Sequence, residues 1–104
     1  MKVLNLTLKK KWFDMIASGE KREEYREVKK YWIDRLYAWG NMYDAPREFH
    51  AVKFRNGYSK NAPTILVEWI NTEVGKAKPE WSDNWQGEVF IIKLGEIIHE
   101  NKTA

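Results

Sequence analysis

Cysteine is absent from the 104 residues, which excludes a disulfide framework and thiolate chemistry and fits a reducing compartment. Histidine is scarce as well: His50 and His99 stand alone, outside any H-E-x-x-H pattern, so no metal site is expected. No apolar run approaches the ~18 residues a membrane span needs. The run Val3 to Leu8 is too short for a secretory h-region and is interrupted by Asn5 and Thr7. These absences lead to the expectation of a soluble, cytoplasmic chain with no membrane partner. Ser18, Ser59 and Ser82 lack a G-x-S-x-G context. The six glycines show neither Walker nor Rossmann spacing, so no cofactor is expected. Internal repeats and low-complexity segments are also missing.

What is present suits an ordered globular protein. Hydrophobic residues make up 43% of a 12.4 kDa chain, enough for one core without staples. One domain is expected over residues 1–98, followed by a polar, frayed tail over 99–104. Charge is uneven: residues 1–52 carry 11 Lys/Arg against 8 Asp/Glu, whereas residues 53–104 carry 7 against 7. An anionic partner is therefore expected to meet the first half.

Along the chain, Leu4, Leu6 and Leu8 alternate with Asn5 and Thr7, predicting a strand over Val3 to Leu8. Trp12, Phe13, Ile16 and Ala17 predict a helix over Lys9 to Ser18, capped by Gly19. Trp32, Ile33, Leu36 and Trp39 predict a second helix over Lys29 to Trp39, and Gly40 to Glu48 reads as a loop. His50 to Arg55, Thr64 to Asn71, and Val89 to Leu94 with a possible continuation to Ile98 read as strands. Residues 56–63 form a turn, and Gly75 to Gly87 a long loop holding Trp81 and Trp85.

Between the two helices lies Gly19-Glu20-Lys21-Arg22-Glu23-Glu24-Tyr25-Arg26-Glu27-Val28, in which seven of ten residues are charged. Two readings fit it. As a helix, Tyr25, Val28, Trp32 and Leu36 form one stripe. As a strand, Arg22, Glu24, Arg26 and Val28 share one face and Lys21, Glu23, Tyr25 and Glu27 the other.

Gly19, Lys21, Glu24 and Arg26 match the pattern G-x-K-x-x-E-x-R, after a short strand and a helix ending at the glycine. The chain resembles the ASCH domain family of the PUA-like group over most of its length. Phe54-Arg55-Asn56-Gly57-Tyr58 resembles a later strand of small phage and bacterial members. The resemblance implies an α+β fold: a PUA-like small β-barrel of about five to six strands, with two helices inserted after the first and second strands. It also makes Lys21 to Val28 a strand. Lys21 would then sit at the mouth of that strand, with Glu24 and Arg26 two residues apart on one face.

Two functions follow from the resemblance. One is a module that binds RNA or a modified nucleoside in a charged cleft between barrel and helices. Lys21, Glu24 and Arg26 would line it, aided by Arg55, Asn56, Tyr58, Trp81 and Trp85. The other is a small amidohydrolase acting on an N-acylated nucleoside such as N4-acetylcytidine, with Lys21 polarising the amide carbonyl and Glu24 as general base. Glu24 stands where those relatives carry a threonine, so their hydroxyl is missing. Structural alternatives accompany each residue. Glu24 and Arg26 could pair with each other, Lys21 could be solvated, Trp81 and Trp85 could pack over the core, and Tyr58 could belong to a plain hairpin turn.

Overall fold

The computed structural model describes residues 1–101. The elements run β1 (Val3–Leu8), α1 (Lys10–Ala17), β2 (Glu23–Glu27), α2 (Lys30–Leu36), a 3₁₀ turn (Ala38–Gly40), β3 (Ala51–Asn56), β4 (Thr64–Gly75), a second 3₁₀ turn (Pro79–Trp81) and β5 (Val89–Asn101). The fold is α+β, with five strands hydrogen-bonded in the order β1-β3-β4-β5-β2. β1 and β3 are parallel, while β3–β4 and β2–β5 are antiparallel.

The chain divides into two compact units. The first holds Met1–Arg22, Phe49–Trp69 and the chain from Leu94; the second holds Glu23–Glu48 and Ile70–Lys93.

In the first unit, period-two alternation produces the core directly. The register aligns Leu4 with Val52 and Val67, and Leu6 with Phe54 and Ile65, and all six side chains are buried. Helix α1 lays Trp12, Phe13 and Ile16 inward and packs on β1 and β3. Fully burying one such side chain contributes about 1.5–3 kcal/mol. The helix ends where Gly19 takes φ +85°, with Gly19 N–H donating to Ile16 O and Lys21 N–H to Met15 O, each at 3.0 Å.

In the second unit, the charged segment is a strand. β2 pairs with β5, aligning Glu23 with Lys93, Tyr25 with Ile91 and Arg26 with Phe90. Pairing residues share a face, so Glu23 and Tyr25 lie on one side of β2 and Glu24 and Arg26 on the other. The helical alternative needs Val28 in an apolar stripe, yet Val28 is 38% exposed. Tyr25, Val89 and Ile91 form a buried cluster, against which Ala77, Trp81 and Trp85 pack.

The second helix is shorter than its apolar spacing predicts. It stops at Leu36 because Tyr37 is extended, bridges Pro46 and is buried against Phe90, with ring centroids 5.4 Å apart. Trp39, expected on the helix stripe, instead takes φ 63° and is 90% exposed. β4 continues past Asn71 to Gly75, and β5 runs on to Asn101. The expected tail thus begins inside a strand, and its residues 102–104 lie outside the described residues. No helix among the described residues is long and apolar enough to cross a membrane.

Candidate functional site

Lys21 is the least ordinary residue of the first unit. The positive φ of Gly19 turns the chain immediately after α1, and Lys21 goes inward with 2% of its surface exposed. Its Nζ lies 4.5 Å from the centroid of the Trp12 ring. An ammonium removed from water costs several kcal/mol unless compensated, and a desolvated cation–π contact returns about 2 kcal/mol of that.

Beside Lys21 is a cavity of ≈ 170 Å³, lined also by Ile16, Gly19, Arg22, Val67 and the run Leu94 to Ile97. Strand pairing fixes its wall, because Leu94 N–H donates to Arg22 O at 3.0 Å. Arg22 Nη1 donates to Gly95 O at 2.8 Å, and Arg22 Nη2 lies 3.8 Å from Glu96 Oε1. Glu96 N–H in turn donates to Glu68 Oε1 at 3.4 Å. The cavity is therefore bordered by a buried lysine, by the exposed Arg22 and Glu96, and by the apolar Leu94 and Ile97.

In the second unit, Arg26 Nη1 is ion-paired with Glu24 Oε2 and also donates to Tyr25 O at 2.7 Å. The Arg26 guanidinium sits 5.1 Å from the Trp32 ring centroid, and that of Arg35 sits 5.4 Å from the same ring. Glu24 and Arg26 thus meet as the same-face strand geometry requires. A base role for Glu24 at Oε2 would need this pair to open.

On the other face of β2 lies a polar network absent from the expected site. Tyr25 Oη donates to Glu23 Oε1 at 2.7 Å and accepts from Lys78 N–H at 3.2 Å. Lys93 Nζ lies 3.1 Å from Glu23 Oε2 and 3.4 Å from Glu73 Oε1. Burial pushes the Glu23 carboxyl up, but the Tyr25 hydroxyl and the Lys93 ammonium outweigh it, and the net shift is below its ordinary value. Glu23 and then Glu73 push Lys93 up. Burial, together with Glu23, pushes the Tyr25 phenol up. Alternation along the segment puts Glu23 and Tyr25 on one face, but Lys93 enters only through the β2–β5 register.

The remaining candidates disperse. Arg55 and Asn56 end β3 half-buried, with Arg55 Nη2 donating to Ser59 O and Asn56 N–H to Pro63 O at 3.0 Å. Arg55 lines a different cavity from Lys21. Tyr58 follows Gly57, which has φ +85°, and is 90% exposed. Trp81 and Trp85, read either as stacking candidates or as packing over the core, pack half-buried against the Tyr25 cluster, with Lys78 Nζ 4.4 Å from the Trp81 ring centroid. A large ring beside an apolar cluster gains more from packing than from solvent.

His50 is structural: its Nδ1 accepts from Lys2 N–H at 3.0 Å. Among the described residues, no group of three or more His, Cys, Asp and Glu could hold a metal ion. In comparison with known proteins, no family model, curated protein or solved structure matches this chain.

Proposed function

We propose that this chain is an ASCH-type, PUA-like module that binds RNA or a modified nucleoside in the cytoplasm, with Lys21 as the central ligand-reading group. One observation carries the reading: Lys21 is buried, its ammonium lies over the Trp12 ring, and the residue lines a cavity. The G-x-K-x-x-E-x-R pattern and the sequence of strand, helix, glycine and strand support the family; in that reading the five strands are those of the PUA-like barrel.

Size and chemistry narrow the ligand. At ≈ 170 Å³ the cavity is smaller than the roughly 300–1,000 Å³ typical of drug-sized ligands, so it suits one base rather than a whole nucleotide. Lys21 supplies donors for a ring carbonyl, and Glu96 supplies an acceptor for an exocyclic amine. A pyrimidine edge bearing both groups is complementary to that pair. Glu24 and Arg26 serve to hold β2, each engaging the other. The amidohydrolase reading has less support, since the threonine is missing and Glu24 is engaged by Arg26.

The test is an NMR titration at low salt with cytidine, N4-acetylcytidine and a short RNA. Amides of residues 19–22 and 94–97 are expected to shift. The charge-removing isostere Lys21→Met should weaken binding at least about tenfold, as expected for a lost charge-assisted hydrogen bond. Unmoved amides, or equal affinity in the variant, would remove the reading. Acetate release from N4-acetylcytidine above a Lys21→Met control would favour the hydrolase instead.

A further inference from the structure

We infer that the solvent face of β1, β3 and β4 carries a second ligand site, a groove that takes the phosphates of a single-stranded nucleic acid. Two adjoining cavities form it, ≈ 490 Å³ and ≈ 240 Å³, with Lys53, Thr64 and Asn101 lining both. The inference stands apart from the Lys21 reading, because neither cavity includes Lys21 or any residue that lines its cavity.

The sheet builds the groove by alternation. Val52 and Phe54 point into the core, so Lys53 and Arg55 share the opposite face of β3. The register sets Asn5 beside Lys53 and Thr7 beside Arg55 on one side, with Leu66 and Thr64 on the other. Lys60 and Asn61 come over from the β3–β4 turn, and His99 and Asn101 from the end of β5.

Charge is what makes this face distinctive. Lys53, Arg55 and Lys60 line the two cavities, and among the described residues no carboxylate lines either, although the chain carries 15 Asp and Glu against 18 Lys and Arg. Some exposed cations elsewhere have acidic partners, as in Lys10–Asp14 at 2.6 Å and Lys30–Asp34 at 2.7 Å. Arg55 donates through Nη2 to Ser59 O, but its Nε–H is buried without an acceptor. That guanidinium is therefore under-satisfied, the state in which an anionic oxygen is most favourable after a small side-chain rotation. The amides of Asn5, Asn61 and Asn101 and the Thr64 hydroxyl add neutral hydrogen-bonding groups suited to sugar and phosphate oxygens. Basic grooves of this kind follow a backbone without reading sequence.

The experiment measures binding of fluorescein-labelled 12-nucleotide oligo(U) to the full chain across a salt series, with inorganic phosphate as competitor. Three engaged phosphates predict a slope of log K against log salt of about −2, at about −0.7 per phosphate for a single strand. The triple variant Lys53→Gln, Arg55→Gln, Lys60→Gln should lose at least about tenfold in affinity and most of the slope. A charge-matched control, Lys2→Gln, Lys29→Gln, Lys76→Gln, should lose far less. Circular dichroism melts establish that both variants fold. Equal losses in the two variants, a slope near zero in the parent protein, or no binding of the strand at all would each overturn the inference. The cytidine shifts around Lys21 should persist in the groove variant, so failure of one site is distinguishable from failure of the other.

Discussion

Glu23 sits in an environment unlike the one its type prefers. A carboxylate with 7% of its surface exposed persists because a phenol and an ammonium both reach it. The pH dependence follows from the direction of each shift. Glu23 has its folded pKa below the ordinary 4.5, so its contribution to stability is present above that value and is lost as pH falls through the folded value. Lys93 is raised above 10.5 and Tyr25 above 10.0, so their contributions are present below those values and are lost as pH rises. Urea midpoints should therefore fall on the acid side below about pH 4.5 and on the alkaline side above about pH 10. Glu23→Gln should flatten the acid limb and bring the Lys93 titration, followed by NMR, back toward its ordinary value. An unchanged Lys93 titration would show that Glu73 alone sets it. Lys21 is buried as well, with its ammonium over an indole face, and its proposed ligand role is tested by the Lys21→Met titration above.

At the scale of elements, the turn from α1 into β2 governs everything the charged segment does. Gly19 holds φ +85°, and a Cβ added there would meet nothing within 4 Å. Substitution at Gly19 thus isolates backbone strain from steric clash. Gly19→Ala should destabilise by about 1–2 kcal/mol, the left-handed penalty for an L-residue, read as a lower urea midpoint at unchanged m-value. A loss well under that would mean the turn relaxes, and the inward path of Lys21 with it. The termini of α2 obey a different balance. The apolar spacing through Trp39 favours continuation, but burying Tyr37 against Phe90 and bridging Pro46 is worth more than one further helical turn of a seven-residue helix.

For the whole molecule, stability is concentrated where three strands of the first unit stack their buried rows. Phe54 is fully buried there, paired with Leu6 and Ile65. Phe54→Ala should cost about 3–5 kcal/mol, a large share of the 5–15 kcal/mol typical of a folded domain. Thermal denaturation should show it as a markedly lower Tm, and a shift of only a degree or two would place the core elsewhere. Charge also acts at this scale. The excess of cations in residues 1–52 does not supply the proposed groove, since all three groove cations, Lys53, Arg55 and Lys60, belong to the numerically neutral half.

Much of the fold was legible because the relevant forces are local. Period-two alternation at Leu4, Leu6 and Leu8, the Trp12–Phe13–Ile16 stripe, and Gly19 as a terminator each act over a few residues, and the corresponding elements form where they are predicted. The adjacency of Glu24 and Arg26 was also readable, since a strand places i and i+2 on one face. Other features depend on which strands become neighbours, and local pattern carries no information about that. The parallel pairing of β1 with β3, the arrival of Lys93 at Glu23 and Tyr25, the inward burial of Lys21 over Trp12, the stop of α2 at Leu36 and the packing of Trp81 and Trp85 were decided by tertiary contacts. In each of these cases a long-range burial or charge contact outweighs the local preference, because it removes more surface or pairs more charge than any neighbour in sequence can supply.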